Sequence, residues 1–88
     1  METKDIKQLL EEAKSWSDGN ITYKFISDTL HINSQMYDKY EIEKGKDEKI
    51  EEDLYLVFGP YRIPILYWSE EELILFVDKM KLSLGRVY

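Results

Sequence analysis

The residues best suited to nucleophilic catalysis lie close together in the sequence, at Ser27, Asp28 and His31. His31 is the only histidine, and the chain has no cysteine that could serve as a thiol nucleophile or a zinc ligand. Ser-His-Asp triads are assembled from separate structural elements, not from one short stretch of chain. The spacing therefore predicts a structural histidine and a protein without enzymatic activity.

A second candidate site is an acidic cluster that could attract calcium. It lacks the ligands at alternate positions and the central glycine of an EF-hand loop. The cluster is therefore predicted to be a solvated loop, and we expect neither a metal nor a cofactor. Its members are Asp47, Glu48, Glu51, Glu52 and Asp53.

The charge of the chain is concentrated in residues 38–53, which carry eight acidic residues and four lysines and so supply −4 of the net charge of −6. A net-acidic surface disfavours contact with a phosphate backbone. Only Arg62 and Arg86 could offer guanidinium groups to nucleic acid. We therefore expect no direct binding of nucleic acid, and a basic protein as the partner.

The element that directly follows the acidic residues is the apolar stretch 54–68, in which Arg62 is the only charged residue. Two strands, 54–58 and 63–68, joined by a type I turn over residues 59–62 with Pro60 at its first central position, predict a β-hairpin. Apolar side chains fall on both faces of this hairpin, which is unusual for a small antiparallel sheet. Either the loop 28–37 folds across the second face or that face binds a partner, which could be a second copy of the chain.

Helices are predicted before and after the strands in the sequence, and together the two can cover one face of a small sheet. Apolar residues from Ile6 to Trp16 recur with helical spacing, and the helix is expected to end at 18–20. A second helix is predicted to begin at Ser69, where Glu72 completes a capping box, and to end at Gly85.

Two further segments favour strands. Residues 21–26 alternate between apolar and polar side chains, and so do residues 39–44, for which a strand is preferred over a helix at 34–44. The expected fold is therefore α+β: an N-terminal helix, a three- to four-stranded antiparallel meander and a C-terminal helix, in a single domain that spans residues 1–88.

Residues 53–68 resemble the central strand pair of the E2-like conjugating enzymes of autophagy. Those enzymes carry a tyrosine and then a proline inside an apolar strand, a pattern that Tyr61, Pro64, Leu66 and Tyr67 match. The active-site cysteine of that family, in a His-Pro-Cys motif, has no counterpart in this chain. The resemblance therefore implies an E2-like scaffold without conjugation chemistry.

Residues 22–30 are similar to part of the N-terminal winged helix of the third subunit of DNA polymerase delta. In that family the segment is helical, so the resemblance implies a helix at 22–30 and a recognition helix near 34–44.

The hypothesis that follows is a non-catalytic, acidic protein-binding protein. In size, charge and helix–sheet–helix order it resembles small phage or mobile-element inhibitors, including some anti-CRISPR proteins, that occupy the basic nucleic-acid channels of their targets. The alternative is a structural adaptor with an E2-like or winged-helix scaffold that binds through its hairpin. A cytoplasmic location is expected, because no secretory signal or membrane-spanning run is evident. The predicted partner-binding residues are Glu41, Glu43, Asp47, Glu48, Glu51, Glu52, Asp53, Tyr55, Tyr61 and Trp68.

Overall fold

The computed structural model describes residues 3–44 and 54–88 of the chain, and this part is mostly β-structure. It contains one helix, α1, followed by nine strands. Their bounds are α1 Thr3–Glu12, β1 Ser15–Ser17, β2 Thr22–Ile26, β3 Thr29–Ile32, β4 Gln35–Tyr37, β5 Tyr40–Lys44, β6 Leu54–Phe58, β7 Tyr61–Trp68, β8 Glu72–Val77 and β9 Met80–Val87.

All the strands belong to one antiparallel sheet, in the order β4-β3-β2-β1-β9-β8-β7-β6-β5. Strands β1 to β4 pair one after another and end at one edge of the sheet. The chain then enters the opposite edge at β5, and strands β5 to β9 pair one after another until β9 pairs with β1. The two edge strands, β4 and β5, are separated only by Asp38 and Lys39. This short connection brings the edges together, so the sheet curls into a nearly closed barrel.

The interior of the barrel is filled by alternate side chains of the strands, as the period of two requires. Helix α1 packs against β2 and β5 and adds Ile6 and Leu10 to the same core, and Ala13, which follows the helix, is buried there as well. The strands contribute the remaining buried residues, which are Trp16, Tyr23, Phe25, Leu30, Tyr40, Ile42, Leu56, Phe58, Ile65, Leu73, Leu75 and Leu84.

The predicted C-terminal helix is wrong, and with it the α+β fold class, the helix–sheet–helix order and the count of three or four strands. Residues 69–71 form a connection, and the rest of the segment forms the β8–β9 hairpin. In this hairpin Leu73, Leu75 and Leu84 all face the core. A helix that buried Leu73 would have left Leu75 outside its apolar stripe, whereas a period of two buries both. Burial in the sheet therefore overrides the local helix-start signal.

The N-terminal helix exists but is shorter than predicted, because it ends at Glu12. Trp16, which was assigned to the apolar face of this helix, lies instead in β1 opposite Tyr23. Its indole N–H donates to the carbonyl oxygen of Leu10 at 3.1 Å. The buried tryptophan thereby satisfies one of the carbonyl groups that the end of a helix leaves without a partner.

The strands predicted at 21–26 and 39–44 and the hairpin at 54–68 are confirmed as β2, β5 and β6–β7. The type I turn predicted over residues 59–62 is wrong, because the loop comprises Gly59 and Pro60 alone and β7 already begins at Tyr61. Gly59 has a φ of 54° and occupies the first central position, which type II′ turns give to glycine. Residues 22–30 form β2, a two-residue turn and the start of β3, and residues 35–37 and 40–44 form β4 and β5, so both helices implied by the winged-helix resemblance are wrong. The strand pair implied by the E2-like resemblance is present, but that resemblance stays a prediction.

Candidate functional site

The outward side of strands β5 to β9 carries several exposed apolar side chains. Side chains that alternate with the buried ones project from it, and three large ones are about half exposed: Leu66 (47%), Tyr67 (50%) and Phe76 (40%). This surface, called the outer face below, is the second face of the predicted apolar hairpin, extended across β8 and β9. The segment 28–37 does not cover it, because that segment forms β3 and β4.

Five residues form a continuous row across the outer face, one from each strand. Glu43 lies opposite Tyr55, and Tyr55 lies opposite Pro64. Phe76 lies opposite Lys81. The antiparallel pairing of β7 with β8 brings Pro64 and Phe76 side by side. This cross-strand row therefore begins with an acid and ends with a base, with two aromatic rings and a proline between them.

Arg62 links the acidic end of the row to its first aromatic ring. Its guanidinium carbon lies 3.9 Å from the centroid of the Tyr55 ring, within the range of a cation–π contact. Its Nε atom lies 3.8 Å from a carboxylate oxygen of Glu43. The side chain of Arg62 therefore extends from β7 toward β5, where its guanidinium contacts the Tyr55 ring and the Glu43 carboxylate.

An irregularity in β7 enlarges the apolar part of the outer face. The register between β7 and β8 shifts between Ile65 and Tyr67, so Leu66 is an additional residue at this point. Such a bulge redirects side chains locally. Tyr67 lies opposite Ile74, and this pair extends the apolar surface beyond the cross-strand row.

The structure brings together three of the residues predicted to bind a partner. Glu41, Glu43 and Tyr55 project from the same side of β5 and β6. Trp68 faces the other way, since it lies opposite the buried Leu73 and packs against the core. Tyr61 lies with Phe58, with ring centroids 5.4 Å apart. Asp47, Glu48, Glu51, Glu52 and Asp53 lie outside the described residues.

Sequence reasoning missed Tyr67, Ile74 and Phe76 as members of the outer face. Ile74 and Phe76 were assigned to a helix, and Trp68 was chosen over its neighbour Tyr67. A signal was available, because residues 73–77 are apolar and β-branched or aromatic at several positions, as strands often are. The bulge that determines which of Tyr67 and Trp68 faces outward left no such signal.

The catalytic candidates do not form a relay. Ser27 and Asp28 occupy the β2–β3 turn, with φ of 43° and 71°. His31 lies on β3 between Lys24 and Met36. Asp28 forms an ion pair with Lys7 of α1, and the hydrogen bond from that lysine lowers the pKa of the aspartate. The ion pair between Lys7 and Asp28 therefore links α1 to the β2–β3 turn.

A buried tyrosine completes this polar contact between α1 and the barrel. The hydroxyl of Tyr40 donates to Oε2 of Glu11 at 2.5 Å, and the backbone N–H of Asp28 donates to the same oxygen at 3.1 Å. Burial, followed by the hydrogen bond to Glu11, raises the pKa of Tyr40. The cluster closes the barrel at the start of β5, where the backbone N–H of Tyr40 also donates to the carbonyl oxygen of Asp28 at 3.0 Å.

Residues 3–44 and 54–88 contain no group of three or more histidine, aspartate or glutamate side chains placed to hold a metal ion. Within the same residues, no helix is long and apolar enough to cross a membrane. No family model, curated protein or solved structure matches this chain.

Proposed function

We propose that this chain is a non-catalytic, cytosolic protein that binds and inhibits a basic, nucleic-acid-binding target, as anti-CRISPR-like phage inhibitors do. The observation that supports the proposal is the placement of Glu41, Glu43 and Tyr55 on one outward side at the end of β5 and the start of β6. In the sequence these strands flank residues 47–53, which contain five acidic residues and one lysine.

The charges on β5 are only partly neutralised within the chain. Oε1 of Glu41 lies 3.7 Å from Nζ of Lys39, and both side chains are more than half exposed. Exposed pairs of this kind contribute little and leave the carboxylate accessible to a competing cation. Tyr55, together with the covering Arg62, supplies a flat side chain of the type that is frequent in protein interfaces. The acids would attract the target, and the ring would add contact area.

The proposal is tested by competition with DNA. Purified chain is titrated into CRISPR effector complexes loaded with fluorescent DNA, and DNA release is followed by anisotropy at about 50 mM and about 300 mM salt. We expect displacement of DNA that weakens at the higher salt concentration. A variant with the five acids of 47–53 changed to their amides should lose most of this activity.

A control variant changes two exposed acids of α1, Asp5 and Glu12, to amides, and it should behave as the wild type does, whereas changing only Asp47 and Glu48 should already weaken displacement. If the wild-type chain leaves DNA bound to every complex of the panel, the anti-CRISPR-like function is wrong. If displacement is the same at both salt concentrations, attraction by the acidic segment is wrong.

A second candidate function is supported by the exposed apolar side chains of the outer face. A structural adaptor could bind through Tyr55, Tyr67 and Phe76, with little contribution from charge. In that case changing Tyr67 to alanine abolishes binding, whereas neutralising residues 47–53 does not. The adaptor is therefore distinguished from the inhibitor by which of the two variants loses the partner.

A further inference from the structure

The described residues contain two clusters of aromatic rings, which differ in their exposure to solvent. One cluster joins β2 to β5 and is buried in the core. The other, called the aromatic corner below, consists of Tyr37, Phe58 and Tyr61. Its outermost ring, that of Tyr61, is 51% exposed. The aromatic corner can therefore offer a ring face to a ligand, which the buried cluster cannot.

The rings of the aromatic corner are positioned by the β6–β7 turn. Phe58 and Tyr61 flank this turn and lie opposite each other on the same side of the sheet. The buried ring of Phe58 supports that of Tyr61, with their centroids 5.4 Å apart. The ring of Tyr37 lies against the turn itself, since a Cβ atom at Gly59 would be 3.5 Å from it. The corner is therefore formed before any ligand binds.

The two tyrosine rings of the corner are perpendicular. Tyr37 and Tyr61 have an interplanar angle of 88°, and their centroids lie 6.4 Å apart. At this separation both ring faces can lie within about 5 Å of a single cation, inside the limit of about 6 Å for a cation–π contact. Because the face of an aromatic ring is negative, the corner favours a cation over an anion.

Asp78 adds a negative charge at this end of the barrel. The antiparallel pairing of β7 with β8 sets Tyr61, at the start of β7, beside the β8–β9 turn that contains Asp78. Burial, followed by the charges of Tyr37 and Asp78, raises the pKa of Tyr23. The hydroxyl of Tyr23 thus has both of these side chains as neighbours. The carboxylate therefore lies close enough to the corner to attract a cation there.

The described part of the chain supplies no cation to the corner. Its three cation–π contacts involve other tyrosines and not Tyr37 or Tyr61. Arg62 adjoins Tyr61 in the sequence, but it projects from the opposite side of β7 and lies over Tyr55. Lys79 belongs to the adjacent turn and yet makes no such contact. The exposed ring is therefore accessible to a cation from outside.

We propose that the aromatic corner, together with Asp78, binds a methylated ammonium cation, either a free one such as choline or the side chain of a trimethyllysine. A methylated ammonium carries its charge beneath an apolar surface, so ring faces suit it. Unmodified lysine and arginine need hydrogen-bond acceptors, which ring faces supply poorly. This inference goes beyond the proposed function and involves none of the residues changed in the DNA competition.

The first experiment is a titration of the isotope-labelled full chain with choline chloride at constant ionic strength, followed by nuclear magnetic resonance. We expect saturable shifts of the backbone signals of Tyr37, Gly59 and Tyr61. The neutral alcohol in which carbon replaces the nitrogen of choline should bind at least about tenfold more weakly, because it lacks the charge on which a cation–π contact depends.

A second titration distinguishes the two sources of the cation. It uses a short peptide with one trimethyllysine and the same peptide with unmodified lysine. Tighter binding of the methylated peptide than of choline supports a modified protein as the ligand, and the reverse supports a free small molecule. The inference is overturned if neither choline nor the methylated peptide shifts the corner, or if the neutral alcohol binds as well as choline does.

Variants of the same net charge separate the rings from the general attraction of an acidic chain. Tyr61→Leu should weaken choline binding about tenfold, whereas Tyr61→Phe keeps the ring face and should stay within about twofold of the wild type. Asp78→Asn should weaken binding only about threefold, since exposed charges contribute little. Tyr67→Leu removes a ring of similar exposure from the outer face and is the matched control.

The spectrum of each variant also verifies that it is folded. Tyr67→Leu should leave choline binding unchanged. If folded Tyr61→Leu and Tyr67→Leu bind choline equally well, the cation does not bind at the aromatic corner and the inference is wrong.

Discussion

The hydroxyl group of Tyr40 joins strand β5 to helix α1, and its removal tests whether the polar cluster at this junction stabilises the barrel. The side chain is 1% exposed, and its hydroxyl donates to Glu11 at 2.5 Å. Tyr40→Phe deletes this donor and leaves the packing of the ring unchanged. The carboxylate of Glu11 then retains the N–H group of Asp28 as a donor.

The expected loss follows from the charge and exposure of the acceptor. A hydrogen bond to a charged group contributes about 1.5–3 kcal/mol to the free energy of unfolding. Glu11 is only partly buried, so water can replace part of the lost interaction, and the cost should lie near the lower limit. A loss of about 1.5 kcal/mol lowers the Tm of a domain of this size by roughly 6–12 °C.

The measurement is urea unfolding followed by circular dichroism, with a thermal scan for the Tm. Tyr61→Phe is the matched control, because it removes the same atom from a ring that is 51% exposed, and it should change stability by less than about 0.5 kcal/mol. A double-mutant cycle with Glu11→Ala should give a coupling energy of about 1 kcal/mol. The reasoning is refuted if Tyr40→Phe costs no more than the control, or if the two substitutions are additive.

Two further predictions concern the β8–β9 turn and the response to alkaline pH. Asp78 and Lys79 both have positive φ, 51° and 64°, so Lys79→Gly should relieve left-handed strain and raise the free energy of unfolding by about 1 kcal/mol in urea titrations; a decrease would contradict this. Burial is the largest cause of the raised pKa values of Tyr23 and Tyr40, so above about pH 10 the unfolded chain loses protons that the folded chain keeps, and stability should fall by up to about 1.4 kcal/mol per pH unit for each group. Unfolding curves at pH 9 and 11 measure this fall, which Tyr40→Phe should lessen; an unchanged fall would show that Tyr40 does not cause it.

The mistaken C-terminal helix shows what local signals can and cannot specify. Ser69 does behave as a capping residue, because its Oγ accepts hydrogen bonds from the backbone N–H groups of Glu71 at 3.3 Å and Glu72 at 3.1 Å. The chain then continues as a strand and not as a helix. The start signal fixes a turn of a few residues, whereas the structure beyond it depends on whether a neighbouring strand can pair.

The turn that creates β8 and β9 also explains why these strands were overlooked. Asp78 and Lys79 lack the asparagine and glycine that usually mark a two-residue hairpin turn. Without a turn signal, nothing in the sequence divides residues 73–84, and their apolar residues Leu73, Phe76, Val77, Met80 and Leu84 have the spacing of a helix. The hairpin at 54–68, which does contain Gly59 and Pro60, was predicted as a hairpin, although its turn lies one residue earlier than expected and is of a different type.

The candidate site was predictable only in part, for a related reason. That Glu41, Glu43 and Tyr55 share one side follows from the period of two once β5 and β6 are recognised as strands. The contribution of Phe76 and Lys81 depends on strands that were not predicted. Which of Tyr67 and Trp68 faces outward depends on a bulge, and a shift of one residue reverses every side chain that follows it.

The pairing of β1 with β9 determines when the barrel can form during folding. Trp16 lies opposite Arg86, so this contact closes a loop that contains nearly the whole chain. The hairpins β2–β3 and β6–β7 need only local contacts and can form early, whereas closure of the seam must wait for both ends. Because long-range contacts slow folding, the seam between β1 and β9 is expected to set the folding rate, and a chain that stops before residue 80 would have two incomplete half-barrels with exposed edges.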